Sequence, residues 1–111
     1  MTPPPSALGE FEVIVLMAVL RCGDDAYGSA VRDEIDQRTS RRVARGAVYV
    51  TLDRLEDKSL LTSRTSESAP DRGGRPRRVY RVSAAGLRAV RQALADMASM
   101  RAGIEPLLGR P

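Results

Sequence analysis

With 111 residues, a net charge of +4 and 42% hydrophobic side chains, the chain has the size and composition of one domain with one modest core. The single cysteine, Cys22, excludes an internal disulfide, and the absence of histidine removes structural zinc and every Ser-His or Cys-His catalytic arrangement. The carboxylates stand singly or on solvated helix faces, so no enzymatic activity, no metal and no cofactor are expected.

The densest apolar run, residues 13–20, falls well short of the roughly 18 residues a membrane-spanning helix requires. Residues 1–6 carry no positive side chain ahead of that run and do not read as a secretory signal, so a cytoplasmic location is expected. Charge is unevenly spread. Residues 1–36 hold two basic and seven acidic side chains, residues 37–91 hold fourteen basic against five acidic, and residues 92–111 balance. The middle of the chain is therefore the part suited to a polyanion. Seventeen of the eighteen basic residues are arginine, whose planar fork suits phosphate and the guanine edge; a GC-rich genome would produce the same bias.

In chain order, residues 1–7 read as a disordered arm and residues 9–21 as a first helix. Phe11, Ile14, Val15, Met17, Ala18, Val19 and Leu20 surround its axis, which predicts burial on two sides. Gly23-Asp24-Asp25 ends it. A second helix follows Tyr27-Gly28 and runs to Arg38, with Ala30 or Val31 and Ile35 inward and Asp33, Glu34 and Asp36 toward water. After a link containing Arg41 and Arg42, the spacing of Val48, Leu52 and Leu55 predicts a third helix over 45–58 with one narrow apolar stripe. Strand character at 60–66 and 78–82, on either side of a polar run rich in Gly, Pro and Arg, predicts a hairpin. Ser83 is placed to cap a last helix over 84–101, where Leu87, Val90, Leu94 and Met97 form a heptad-like seam. The tail, 103–111, carries Ile104, Leu107 and Leu108 and is expected to order partly against that seam.

Three helices followed by a charged hairpin are the order of a winged helix-turn-helix, in which the third helix enters the major groove and the hairpin touches flanking backbone or minor groove. The expected fold is α+β, mostly α: a winged helix-turn-helix domain over 8–82 with an additional C-terminal dimerisation helix over 83–102. With the stripe of the third helix inward, Gly46, Val50 and Asp53 lie opposite, Arg45 and Tyr49 on one flank, and Ala47 and Arg54 on the other. Gly46, Ala47 and Val50 would allow close approach and contact with thymine methyl groups, leaving hydrogen bonds to Arg45, Tyr49, Thr51 or Arg54. Arg41 and Arg42 approach from the link. Arg72, Gly73, Gly74, Arg75, Arg77 and Arg78 make a cationic wing able to track the backbone or enter a narrow minor groove; a solvated loop is the alternative. Exposed, the seam would be a long apolar stripe, so pairing of two copies is the better account, the alternative being that it completes the core.

The runs L-G-E-F-E near the start, A-Y-G at 26–28, G-A-V-Y-V-T-L-D-R-L-E at 46–56 and P-D-R-G-G-R-P-R-R-V-Y-R-V-S at 70–83 resemble the PadR family of bacterial transcriptional regulators over about residues 8–91. The pairing of the G-x-x-Y-x-x-L-x-x-L-E helix with the G-G-R-x-x-R wing is the most specific element. The resemblance implies a repressor binding a palindromic operator in double-stranded DNA as a homodimer held by the last and first helices. That adds Phe11 and Val15 to Leu87, Val90, Leu94 and Met97 as interface residues. It implies a phosphate contact for Tyr49, against which stands the reading of Tyr49 as a half-buried aromatic finishing the core. It also implies release, in some members, by a small ligand; an unidentified apolar effector would sit between the first and last helices, near Met17, Met97 and Met100. Two residues depart from the family. Ser59 stands where glycine usually follows the recognition helix, which points to a different turn there, and Val50 replaces a polar residue, which alters base reading at one position. Competing functions are a winged-helix module for protein or RNA contact and an architectural DNA binder with little sequence preference. A membrane-surface role is excluded by basic residues gathered on a hairpin and not along an amphipathic helix. Cys22 reads as a small packed side chain.

Overall fold

The elements follow in the order α1 (Glu10–Cys22), a 3-10 turn (Gly23–Asp25), α2 (Gly28–Arg38), α3 (Arg45–Asp57), β1 (Leu61–Ser66), β2 (Arg77–Val82), α4 (Ala84–Arg101) and a short α5 (Glu105–Leu108). The computed structural model describes residues 8–66 and 77–109. The expected N-terminal arm and the wing residues Arg72, Gly73, Gly74 and Arg75 lie outside the described residues. Among the described residues no helix is long and apolar enough to cross a membrane.

Helix α1 starts where the Gly9 amide donates to Glu12 Oε1 at 2.9 Å, which satisfies one of the amides a helix start leaves unpaired. It ends at Gly23, whose φ of +60° suits a residue without Cβ. Between these ends Val15, Leu16, Ala18 and Val19 are buried, with Phe11, Ile14 and Met17 partly buried around them. The helix is thus covered on more than one side, as its pattern predicts. In α2 the inward pair is Val31 and Ile35. In α3, Val48, Leu52 and Leu55 are all fully buried, and one stripe holds the helix against α1 and α2.

The stop after α3 differs from the sequence expectation. Ser59 adopts φ +62°, the left-handed conformation that glycine normally supplies. Its amide donates to the Glu56 carbonyl at 2.9 Å, and the Leu60 amide donates to the Leu55 carbonyl at 2.9 Å. These are the paired bonds of a Schellman ending, with Leu60 and Leu55 both in the core. The turn is the left-handed one that a glycine would make, adopted here despite a side chain that disfavours it. Ser83 reinforces it: its hydroxyl donates to the Ser59 carbonyl at 2.8 Å and accepts the Gly86 amide at 3.0 Å, capping α4 as predicted.

Strands β1 and β2 pair antiparallel from Leu61 opposite Val82 to Ser66 opposite Arg77. On the other edge of β2, the Tyr80 amide donates to the Ala26 carbonyl at 2.9 Å, and Tyr27 forms an isolated bridge with Val79. The turn before α2 is therefore tied to the wing's second strand. Helix α4 enters through a tight contact: a Cβ on Gly86 would stand 2.2 Å from the Leu60 carbonyl oxygen, so only glycine fits. Its early turns bury Ala89 and Val90, and the remainder extends outward. The radius of gyration of 15.9 Å exceeds the roughly 13 Å of a compact chain of this length.

Two expected interface residues are corrected by this packing. Val15 is fully buried and Val90 is 5% exposed, both inside the chain's own core, because the first turns of α4 fold back over α1. Leu87, Leu94 and Met97 remain exposed. The tail also departs from expectation. It forms α5, but Leu107 and Leu108 face solvent and not the seam, since a four-residue helix beyond the end of α4 cannot turn back along it.

Glu12 is a buried carboxylate that ties α1 to the end of α3 through Lys58 Nζ at 2.8 Å. Burial pushes its pKa up, but hydrogen bonds from Lys58 and the Gly9 amide, with the charges of Lys58 and Arg54, outweigh burial and leave it lowered. A depressed folded-state pKa contributes stability above the unfolded value and loses it as pH falls through the folded one. Glu12→Gln should cost about 1–2 kcal/mol near neutral pH, and the gap to the wild type should close as pH drops below the ordinary glutamate range; urea melts at several pH values measure this. Ser59→Gly should stabilise the chain by about 0.5–1 kcal/mol by relieving the left-handed conformation, seen as a higher melting temperature.

Candidate nucleic-acid interface

The outer surface of α3 is polar at its edges and small at its centre. Arg45, Gly46, Ala47, Val50, Asp53 and Arg54 are exposed, Val50 by 56%. Among the described residues Arg42, Arg45 and Arg54 take part in no ion pair. Thr51 is the exception to the predicted set and is corrected: it is 5% exposed, and its hydroxyl donates to the Ala47 carbonyl at 2.9 Å. A threonine turned back onto its own helix has no donor left for a base edge.

The approach to α3 is braced from α2. Arg32 Nε donates to the Val43 carbonyl at 3.0 Å and the Thr39 hydroxyl to the Ile35 carbonyl at 2.8 Å. Arg41 is held from α1 by the Glu10 carboxylate, with its guanidinium 5.9 Å from the Phe11 ring centroid. Phe11 is thereby half-buried under Arg41 and not openly exposed.

Tyr49 is 38% exposed, and its ring lies against Gly28 at the start of α2. From the sequence the A-Y-G run reads as a mark of resemblance and Tyr27-Gly28 as the lead into the second helix, and this role of the turn is missed. Its signal was a glycine in the first position of a helix, where backbone geometry does not demand one. The same turn receives β2. The Arg77 guanidinium stacks 3.8 Å from the Tyr27 ring centroid and donates to Ser29 Oγ at 3.2 Å. Arg78 instead reaches α3, pairing with Glu56 Oε1 at 3.0 Å and donating to Ser63 Oγ at 2.8 Å. The two strand-borne wing arginines thus lie beside α2 and α3, as one surface requires, but both have protein partners. Beneath Arg78, burial pushes the Tyr80 phenol up, the nearby Arg78 charge only partly opposing it.

Leu94 of α4 borders two open apolar grooves against α1, and Met97 borders the second of them. One, of about 470 Å³, is lined by Met17, Leu20, Ile35 and Val90, with the Arg21–Glu34–Arg38 cluster at its rim. The other, of about 440 Å³, is lined by Leu8, Val13, Ile14 and Ala93. Cys22 stands at the end of α1, where burial and then Glu34, Asp25 and Asp33 push its pKa up. The thiol form is favoured, the reverse of what a reactive cysteine needs.

The model of the Transcriptional regulator PadR-like family matches residues 15–92. Comparison with curated proteins returns no match. Among solved structures, a PadR family transcriptional regulator from Eggerthella lenta is 25% identical, with a TM-score of 0.69 over 92% of this chain and 88% of its own. A PadR family transcription regulator from Clostridium difficile is 22% identical, with a TM-score of 0.72 over 89% of this chain and 99% of its own. F93 from STIV, described as a winged-helix DNA-binding protein, is 22% identical with a TM-score of 0.63, covering 82% of this chain and 90% of its own. The α+β, mostly helical winged-helix fold expected from the sequence is the fold these comparisons share.

Glu56 competes with any anion on this face for Arg78. Exposed pairs of this kind are worth up to about 1 kcal/mol, so Glu56→Gln should tighten binding to a random duplex by about two- to fivefold at low salt. Fluorescence anisotropy titrations measure the change, which should shrink as salt is raised.

Proposed function

The chain belongs to the Transcriptional regulator PadR-like family, and on that premise we propose that it is a repressor that binds a palindromic operator as a homodimer and is released by a small apolar effector. The observation that carries the reading is the division of one small chain into two unlike surfaces. Exposed α3 carries Arg45 and Arg54, preceded by Arg42, all three without an ion pair among the described residues, while α4 exposes the apolar Leu87, Leu94 and Met97.

In this reading Gly46, Ala47 and Val50 meet base edges, with thymine methyl groups suiting Val50. Arg42, Arg45, Arg54 and Tyr49 contact phosphates and set the register of the helix. Arg72, Gly73, Gly74, Arg75 and Arg77 continue along the backbone or into the neighbouring minor groove. Arg41 and Arg78 join them by exchanging Glu10 and Glu56 for phosphate. Leu87, Leu94 and Met97 meet their copies across a two-fold axis, with Phe11 at the margin. An isologous contact of this kind presents two α3 helices to successive major grooves. The grooves between α1 and α4 fall in the size range of small-molecule sites, and an apolar effector seated there would alter the angle between the two recognition helices.

Footprinting of the region upstream of its own gene should protect two half-sites about one helical turn apart. Binding should weaken with salt by a log-log slope of about −0.9 per phosphate contacted. Sedimentation should give the mass of two chains, and Leu94→Asp should yield single chains at micromolar concentration with footprinting lost. Equal affinity for operator and random duplex would favour an architectural role, and a wild-type mass of one chain would end the two-fold reading.

A further inference from the structure

Gly28 opens α2, is buried, and shows no left-handed backbone angle. The backbone at this first helical position therefore gives glycine no conformational advantage. The reason for glycine here is steric. A Cβ at this position would stand 2.3 Å from Tyr49 Cε1, 2.6 Å from Cζ and 2.7 Å from the hydroxyl oxygen. The Tyr49 phenol occupies the volume that any side chain at 28 would need.

We infer that Gly28 is a positioning residue for DNA binding, which seats the Tyr49 phenol of α3 against the same turn of α2 that holds Arg77 of the wing. The turn brings together one residue from each DNA-facing element: Tyr49 over Gly28, and Arg77 over Tyr27 and on Ser29. A tyrosine at this level of exposure has an open path to solvent, so a methyl group at 28 displaces the ring outward and leaves the core beneath α3 intact. What is lost is a hydroxyl held in place before the phosphate arrives, and pre-ordering of this kind converts directly into affinity. The inference rests on the DNA-binding reading above.

The test uses the full chain and a duplex spanning the region upstream of its own gene. Gly28→Ala should lower affinity about tenfold per half-site, the size of one lost hydrogen bond, while thermal unfolding stays cooperative. Tyr49→Phe, which keeps the ring and removes the hydroxyl, should lose a similar factor. In a Tyr49→Ala background Gly28→Ala should change affinity no further, because no ring remains to be displaced. The chain has three tyrosines, so aromatic NMR signals report directly on the seat: in Gly28→Ala those of Tyr49 should move while those of Tyr80 stay. Additive losses in the double variant, or Tyr49 signals that do not move, would overturn the inference. A wild-type chain that binds no duplex, with Tyr49 signals still moving in Gly28→Ala, would overturn the DNA-binding reading and the positioning role together, while the packing of the ring on Gly28 would stand.

Discussion

The fold depends on α3 being held by a single narrow stripe. Val48, Leu52 and Leu55 are fully buried against α1 and α2, and three side chains at helical spacing occupy only one side of a helix. Thr51 is buried beside them and Glu56 is half-buried, and the rest of α3 is left outward. A wider stripe would have drawn Tyr49 and Val50 inward, and a weaker one would not have fixed the helix against its neighbours. The rigidity of the stripe is extended by the turn at Ser59 and by Lys58 on Glu12, which lock the end of α3 to α4 and to α1.

Charge is sorted by the fold as much as by the sequence. The acidic excess of residues 1–36 and the basic excess of residues 37–91 do not remain apart, because α1 supplies Glu10 to Arg41 and Glu12 to Lys58. Arg21 and Arg38 share Glu34, whose pKa is lowered first by the hydrogen bond from Arg38 and then by that from Arg21. Some arginines are therefore structural, others lie exposed without an ion pair among the described residues, and Arg41 and Arg78 are paired but exposed. An exposed pair of this kind is weak enough to be exchanged for a phosphate, so the paired arginines are not lost to the proposed interface.

Close backbone approaches connect the parts. Gly86 lets α4 pass against the Leu60 carbonyl, and Gly28 admits Tyr49. The turn at 26–29 also pairs with β2 and carries Arg77. The wing is consequently attached to the helix-turn-helix at both its strands: β1 follows directly from α3, and β2 is tied to the start of α2.

Much of this was legible in the residues alone because it arises from short-range physics. Helical spacing marked Val48, Leu52 and Leu55, and a hydroxyl three residues before a free amide marked Ser83 as a cap. Strand pattern marked the two paired strands. Periodicity, however, states only which side of a helix is apolar. It does not state whether that side meets the chain's own core or the outside, since both select the same residues. Val15 and Val90 went to the core while Leu94 and Met97 stayed outside, and only the angle at which α4 crosses α1 separates them. Thr51 turned back on Ala47, Ser59 was forced left-handed, and Gly28 was emptied to receive a ring from a different helix. Each of these is decided by a neighbour distant in sequence or by local competition for a hydrogen bond, and such contacts exist only after the elements have packed.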